Sequence, residues 1–132
     1  MIIKSYEINK INLKNNKYIL LYGSNEGAKK ETINLISKQS KINPLIKFDE
    51  KQILENNELL FKETLEKSLF DNEKIIIVNR ASDKLFKTLE KILDKKYDDT
   101  YLIVNSGPLD KKSKLRIKFE KEKDLTCVPF YA

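Results

Sequence analysis

The run Ile75-Ile76-Ile77-Val78 constrains this chain more than any other stretch. Successive residues of a strand point to opposite faces, so an unbroken β-branched run is apolar on both sides. Such a strand fits the interior of a parallel sheet covered by helices above and below. Just upstream, Leu69 and Phe70 close a helical pattern beside the polar turn Asp71-Asn72-Glu73. Two large apolar residues at that place either fold back onto the core or face a partner.

The rest of the chain alternates in the same way. Met1 to Asn16 is the least regular part, with Ile3, Tyr6, Ile8, Ile11 and Leu13 read as a short strand and turn. Lys17 to Tyr22 reads as a strand that ends at Gly23. A helix follows, capped by Ser24 or Asn25, with Ala28, Ile33, Leu35 and Ile36 as its apolar face. Pro44 to Phe48 is a second strand. A long helical region from Glu50 to Phe70 is broken at Asn56-Asn57, with Leu60, Phe61, Leu65 and Leu69 as its stripe. Lys74 to Val78 is the third strand. Leu85, Phe86, Leu89, Ile92 and Leu93 follow helical spacing. Thr100 to Val104 is the fourth strand, and Asn105 to Pro108 a loop. Leu115 and Phe119 mark another helix, and Leu125 to Phe130 a last strand that Pro129 places at an edge or a strand end. The pattern β-α-β-α-β-α-β-α-β predicts an α/β fold: a five-stranded parallel sheet flanked by helices, in three layers.

Composition narrows the function. A chain of 132 residues suits one domain. The net charge of +6 permits an acidic partner, but lysines interleaved with Asp and Glu read first as a solvated surface. Lys111, Lys112, Lys114, Arg116 and Lys118 are taken the same way, with a DNA-backbone contact as the lesser reading. With no histidine and the single cysteine Cys127, a metal site or a histidine-based catalytic set is not expected. No run is long enough to span a membrane and no signal peptide is recognisable, so a cytoplasmic protein is expected.

In such sheets ligands bind beyond the carboxyl ends of the strands. The first strand ends in Gly23-Ser24-Asn25-Glu26-Gly27-Ala28-Lys29-Lys30. A phosphate loop needs Gly-x-x-x-x-Gly-Lys-Ser/Thr, whose amides cradle phosphate while the lysine reaches the outer phosphates and the hydroxyl holds magnesium. Here Gly23 and Gly27 are one residue too close. Lys29 is displaced, Lys30 stands in place of the hydroxyl, and Glu26 adds negative charge. The third strand ends in Asn79-Arg80, where an ATPase of this architecture carries the acidic residue for magnesium. Two sites for one chemistry are both degenerate, and no cofactor is expected. A divergent nucleotide-binding domain and a basic nucleic-acid-binding domain remain the alternatives to an interaction module.

Several ordered pieces together resemble a known family. They are Tyr18-Ile-Leu-Leu-Tyr-Gly, Ser68-Leu-Phe before the isoleucine strand, and Leu102-Ile-Val with Gly107-Pro-Leu-Asp-Lys-Lys-Ser-Lys-Leu-Arg. Cys127-Val-Pro-Phe-Tyr completes the set. In this order they resemble the N-terminal domain of the delta subunit of the bacterial DNA polymerase III clamp loader. The resemblance implies a P-loop NTPase/AAA+-like domain with a degenerate nucleotide site and no catalysis of its own. It also implies that residues 1–132 form one domain of a longer subunit, without that subunit's lid and collar domains. The domain would bind the sliding clamp (beta subunit) and help it open for loading onto primed DNA. Ser68, Leu69 and Phe70 would be the clamp-binding residues, the Leu-Phe pair entering an apolar pocket. The other clamp-loader subunits, delta-prime and tau/gamma, would be reached through the full-length protein, and DNA indirectly.

Overall fold

The computed structural model describes residues 1–65 and 73–131. The isoleucine run lies in β3 (Lys74–Ala81), and Ile75, Ile76, Ile77 and Val78 are all buried. The other strands are β1 (Tyr18–Gly23), β2 (Leu45–Asp49), β4 (Thr100–Ser106) and β5 (Leu125–Phe130). They form one parallel sheet of five strands in the order β2-β3-β4-β1-β5. The helices are α1 (Glu26–Ser40), α2 (Glu50–Glu55), α3 (Glu58–Leu65), α4 (Phe86–Lys95) and α5 (Lys114–Lys121).

The two faces of β3 feed two cores, as alternation requires. Ile76 and Val78 pack with Ile53 of α2, Leu60 of α3, Leu89 of α4, and Leu115 and Phe119 of α5. Ile75 and Ile77 pack on the opposite side with Ile33 and Ile36 of α1 and with Ile11 and Leu13 of the N-terminal segment. The expected three-layer α/β architecture is therefore present. The long helical region does break at Asn56-Asn57, and Leu60 is fully buried.

Several expectations need correction. The N-terminal segment is not a strand and turn. Residues Ser5–Lys10 form a 3-10 helix, and Tyr6 is exposed. Before it, the chain pairs with the outer edge of β5, through Cys127 N to Met1 O at 2.8 Å and Ile3 N to Cys127 O at 2.9 Å. Leu35 is exposed, and Thr32 and Ser37 share the inner side of α1 with Ile33 and Ile36. β3 runs on past Val78 to Ala81 through an irregularity in its pairing with β4, and Arg80 adopts φ 57° there. A bulge of this kind bends the strand and re-aims its side chains. β4 likewise continues through Asn105 and Ser106, which are strand rather than loop. Pro108 lies in the strand exit, well before α5.

Candidate functional site

The connection from β1 to α1 is short. β1 ends at Gly23 and α1 begins at Glu26, so Ser24 and Asn25 alone join them. Asn25 caps the helix, its side-chain oxygen accepting from Ala28 N at 3.1 Å. This satisfies a main-chain donor that a phosphate would otherwise meet. Gly27 lies inside the first turn of α1, as a helix capped at Asn25 requires.

Gly23 has a different role from the one its motif position suggests. Its φ is +128°, and a Cβ built there would lie 1.8 Å from the Phe130 carbonyl oxygen. The glycine permits β1 and β5 to approach at their C-terminal ends, which no other residue allows.

Lys29 points inward and has no solvent exposure. Its Nζ donates to the Ser106 main-chain carbonyl at 2.6 Å and to Glu26 Oε1 at 2.8 Å. A buried ammonium is tolerated only when paired and hydrogen-bonded, and this one is both. The lysine therefore ties α1 to the end of β4. Lys30, next along, is exposed.

At the ends of β3 and β4 two amides meet. Asn105 Nδ2 donates to Asn79 Oδ1 at 3.1 Å, and Asn105 Oδ1 has no partner among the described residues. Arg80 is 86% exposed and lies 3.9 Å from Asp49 of β2. Around these residues the strand ends open into a hollow of about 410 Å³ that Glu26, Lys30, Asp49, Asn79 and Asn105 help to line. The structure thus brings Gly23, Gly27, Lys29, Asn79 and Arg80 to one end of the sheet, as the motifs predict. Gly23 and Lys29 serve packing, and the acid expected for magnesium is an amide. Among the described residues no group of His, Cys, Asp and Glu is arranged to hold a metal ion, and no helix is long and apolar enough to cross a membrane.

Ser68, Leu69 and Phe70 lie outside the described residues. Their flanks are firmly held. On the α3 side Leu60 is fully buried and Thr64 nearly so. On the β3 side Lys74 Nζ donates to the Glu63 carbonyl, and Tyr101 Oη donates to Glu73.

A junction that sequence reasoning missed lies after β3. Asp83 accepts from Ser113 Oγ at 2.8 Å, from Lys114 N at 3.0 Å and from Leu115 N at 3.2 Å. Burial raises its pKa, but these hydrogen bonds outweigh that and hold it below the ordinary carboxylate value. Glu50, at the start of α2, accepts from Ser82 N at 2.8 Å and from Ser82 Oγ. Ser82 and Asp83 so join α2, β3 and α5. Ser113 also caps α5, its Oγ accepting from Arg116 N at 3.2 Å, and no sequence spacing links it to Asp83.

Two of the basic residues on α5 are paired within the surface. Arg116 meets Glu120 at 3.2 Å, and Lys118 meets Asp94 at 3.0 Å and Glu122 at 2.7 Å. Lys111, Lys112 and Lys114 are exposed, as a solvated face requires, but the Arg116 and Lys118 side chains are only 17% and 11% exposed, because acidic partners lay each against the surface.

No curated protein matches the chain. Residues 18–128 match the model of the family described as DNA polymerase III, delta subunit. That span holds the whole sheet but for the last residues of β5, together with all of α1 to α5. The chain therefore belongs to the DNA polymerase III delta subunit family, the non-catalytic clamp-loader subunits of DNA replication.

Proposed function

We propose that this chain is a clamp-binding module, with Ser68, Leu69 and Phe70 entering an apolar pocket on the sliding clamp. Family membership carries this reading. The anchored flanks support it: α3 is fixed by Leu60, and Lys74 and Glu73 tie the start of β3. Apolar anchors set in a pocket commonly dominate such interfaces.

Ring opening requires tighter binding to the open clamp than to the closed one. Neighbouring side chains Glu63, Glu66 and Lys67 are the candidates for that bias. The other clamp-loader subunits, delta-prime and tau/gamma, and through them primed DNA, complete the proposed assembly. Its place is the cytoplasm. The domain needs no nucleotide of its own. The two-residue connection at Ser24-Asn25 and the commitment of Lys29 to Ser106 support this.

Clamp binding by the wild type and by the Leu69→Ala/Phe70→Ala variant tests the reading. Burying each side chain is worth about 1.5–3 kcal/mol. The double variant should therefore bind about a hundredfold more weakly or worse while keeping its circular dichroism and melting temperature. A variant that unfolds would assign the pair to the core. Unchanged affinity in a folded variant would refute the assignment.

A further inference from the structure

The two edges of the sheet are treated differently. The outer edge of β5 is covered by Met1 to Ile3. The outer edge of β2 has no strand beside it among the described residues. In a parallel ladder, alternate residues of a strand turn their N–H and C=O groups to one neighbour. Ile75 N donates to Pro44 O, and Ile46 is in register with Ile76. Pro44, Ile46 and Phe48 therefore face β3, and Leu45 and Lys47 present their main-chain donors and acceptors outward, while the Asp49 N–H donates to Gln52 Oε1 at 2.8 Å.

A groove runs beside this edge. The hollow of about 410 Å³ at the strand ends continues along α1, sharing Asn34, into a second of about 300 Å³ near Ser37 and Leu45. α1 has 15 residues, a length of about 22 Å. Lys30, Lys38, Lys41 and Lys47 line this path, all exposed, and none of them takes part in an ion pair among the described residues. The acids on the path, Glu26 and Asp49, face Lys29 and Arg80. Ile33, Ile77 and Ile42 supply apolar floor. Ser37 is 8% exposed and lines the groove, and its Oγ has no partner among the described residues.

We propose that this groove and the open edge of β2 bind an extended acidic segment of a partner protein, which adds to the sheet as a strand beside β2. The outward edge offers carbonyl acceptors as well as amide donors, and a peptide main chain matches both. A nucleic-acid backbone offers phosphate acceptors, which the outward carbonyls repel. No aromatic side chain lines the groove, so bases find no stacking platform. Alternate side chains of the added strand would lie over the lysines, which selects acidic residues at every second position. The lysines give the charge complementarity that steers the segment in.

The test uses 15N-labelled protein and three probes. One is a blocked peptide of alternating Glu and Val, one its Lys-for-Glu counterpart, and one a twelve-nucleotide oligothymidylate. The Glu peptide should shift and protect the amides of Leu45 and Lys47, and the Lys peptide should not. Lys38→Glu/Lys47→Glu should weaken binding at least tenfold. Lys47→Pro should weaken it several-fold more than Lys47→Ala, because it removes an outward N–H that β3 does not use. Melting temperatures of the variants check that each remains folded. The proposal is overturned if the Glu peptide leaves the β2 amides unmoved, or if it binds equally well to Lys47→Pro and Lys47→Ala. It is also overturned if oligothymidylate occupies the groove in preference to the peptide.

Discussion

The Lys29 ammonium and the Ser106 main-chain carbonyl are 2.6 Å apart, inside the protein, at the place where a related architecture would hold a phosphate. A charge-assisted hydrogen bond of this kind is worth about 1.5–3 kcal/mol. Lys29→Met should lower the free energy of unfolding by about 2 kcal/mol in urea titrations. Magnesium-ATP, added to the wild type, should leave the melting temperature where it is, since ligand binding would raise it by mass action.

Gly23→Ala should be among the most damaging small substitutions in the chain. The added methyl would meet the Phe130 carbonyl at 1.8 Å, from a backbone at φ +128°. β1 and β5 must then separate at their ends, at a cost of about 2 kcal/mol or more. Gly107→Ala is the control, because nothing lies within 4 Å of its added carbon. Thermal melts of the two variants should differ plainly.

Asp83 makes the start of α5 sensitive to acid. Its folded pKa is depressed, so its contribution is complete above the unfolded carboxylate value near 4 and is lost as pH falls through the folded value. Asp83→Ala should cost about 1–2 kcal/mol at pH 7, the usual scale for a lost helix cap. The gap between wild type and variant should narrow below about pH 4. Urea unfolding at pH 7 and at pH 3 measures it.

Cys127 should be inert in the native protein. It is fully buried in β5, and burial pushes its thiol up to about 12. The reactive thiolate is then about a thousandfold scarcer than for an ordinary cysteine. Alkylation at pH 8 should be slow, and should accelerate in step with unfolding when urea is added.

The sheet was legible because its strands are nearly continuous apolar runs. Ile75 to Val78 and Tyr18 to Tyr22 cannot be satisfied except as buried strands. Pro129 read correctly as an edge signal, since β5 is terminal in the sheet. Leu35 misled, because helical spacing does not reveal which flank of a broad stripe faces the core. Here Thr32 and Ser37 take inward positions instead. Lys29 was read as displaced from a phosphate-binding position, but where its ammonium goes was not legible, because its carbonyl partner at Ser106 lies at the end of a distant strand. The family was legible in the ordered motifs, and the match over residues 18–128 agrees. The Ser68-Leu69-Phe70 assignment rests on the resemblance and lies outside the described residues.

The position of β1 in the sheet sets an order on biosynthesis. Tyr18 is in register with Leu102 on one side and with Leu125 on the other. Both neighbours of the first strand are therefore synthesised long after it. Until β4 has emerged, Tyr18 to Tyr22 is an apolar segment with neither of its native partners available. Non-local pairing of this kind slows folding and leaves the nascent chain open to aggregation. Expression at lower temperature, or with a chaperone that binds short apolar segments, should therefore raise the soluble yield more than any change to the folded surface.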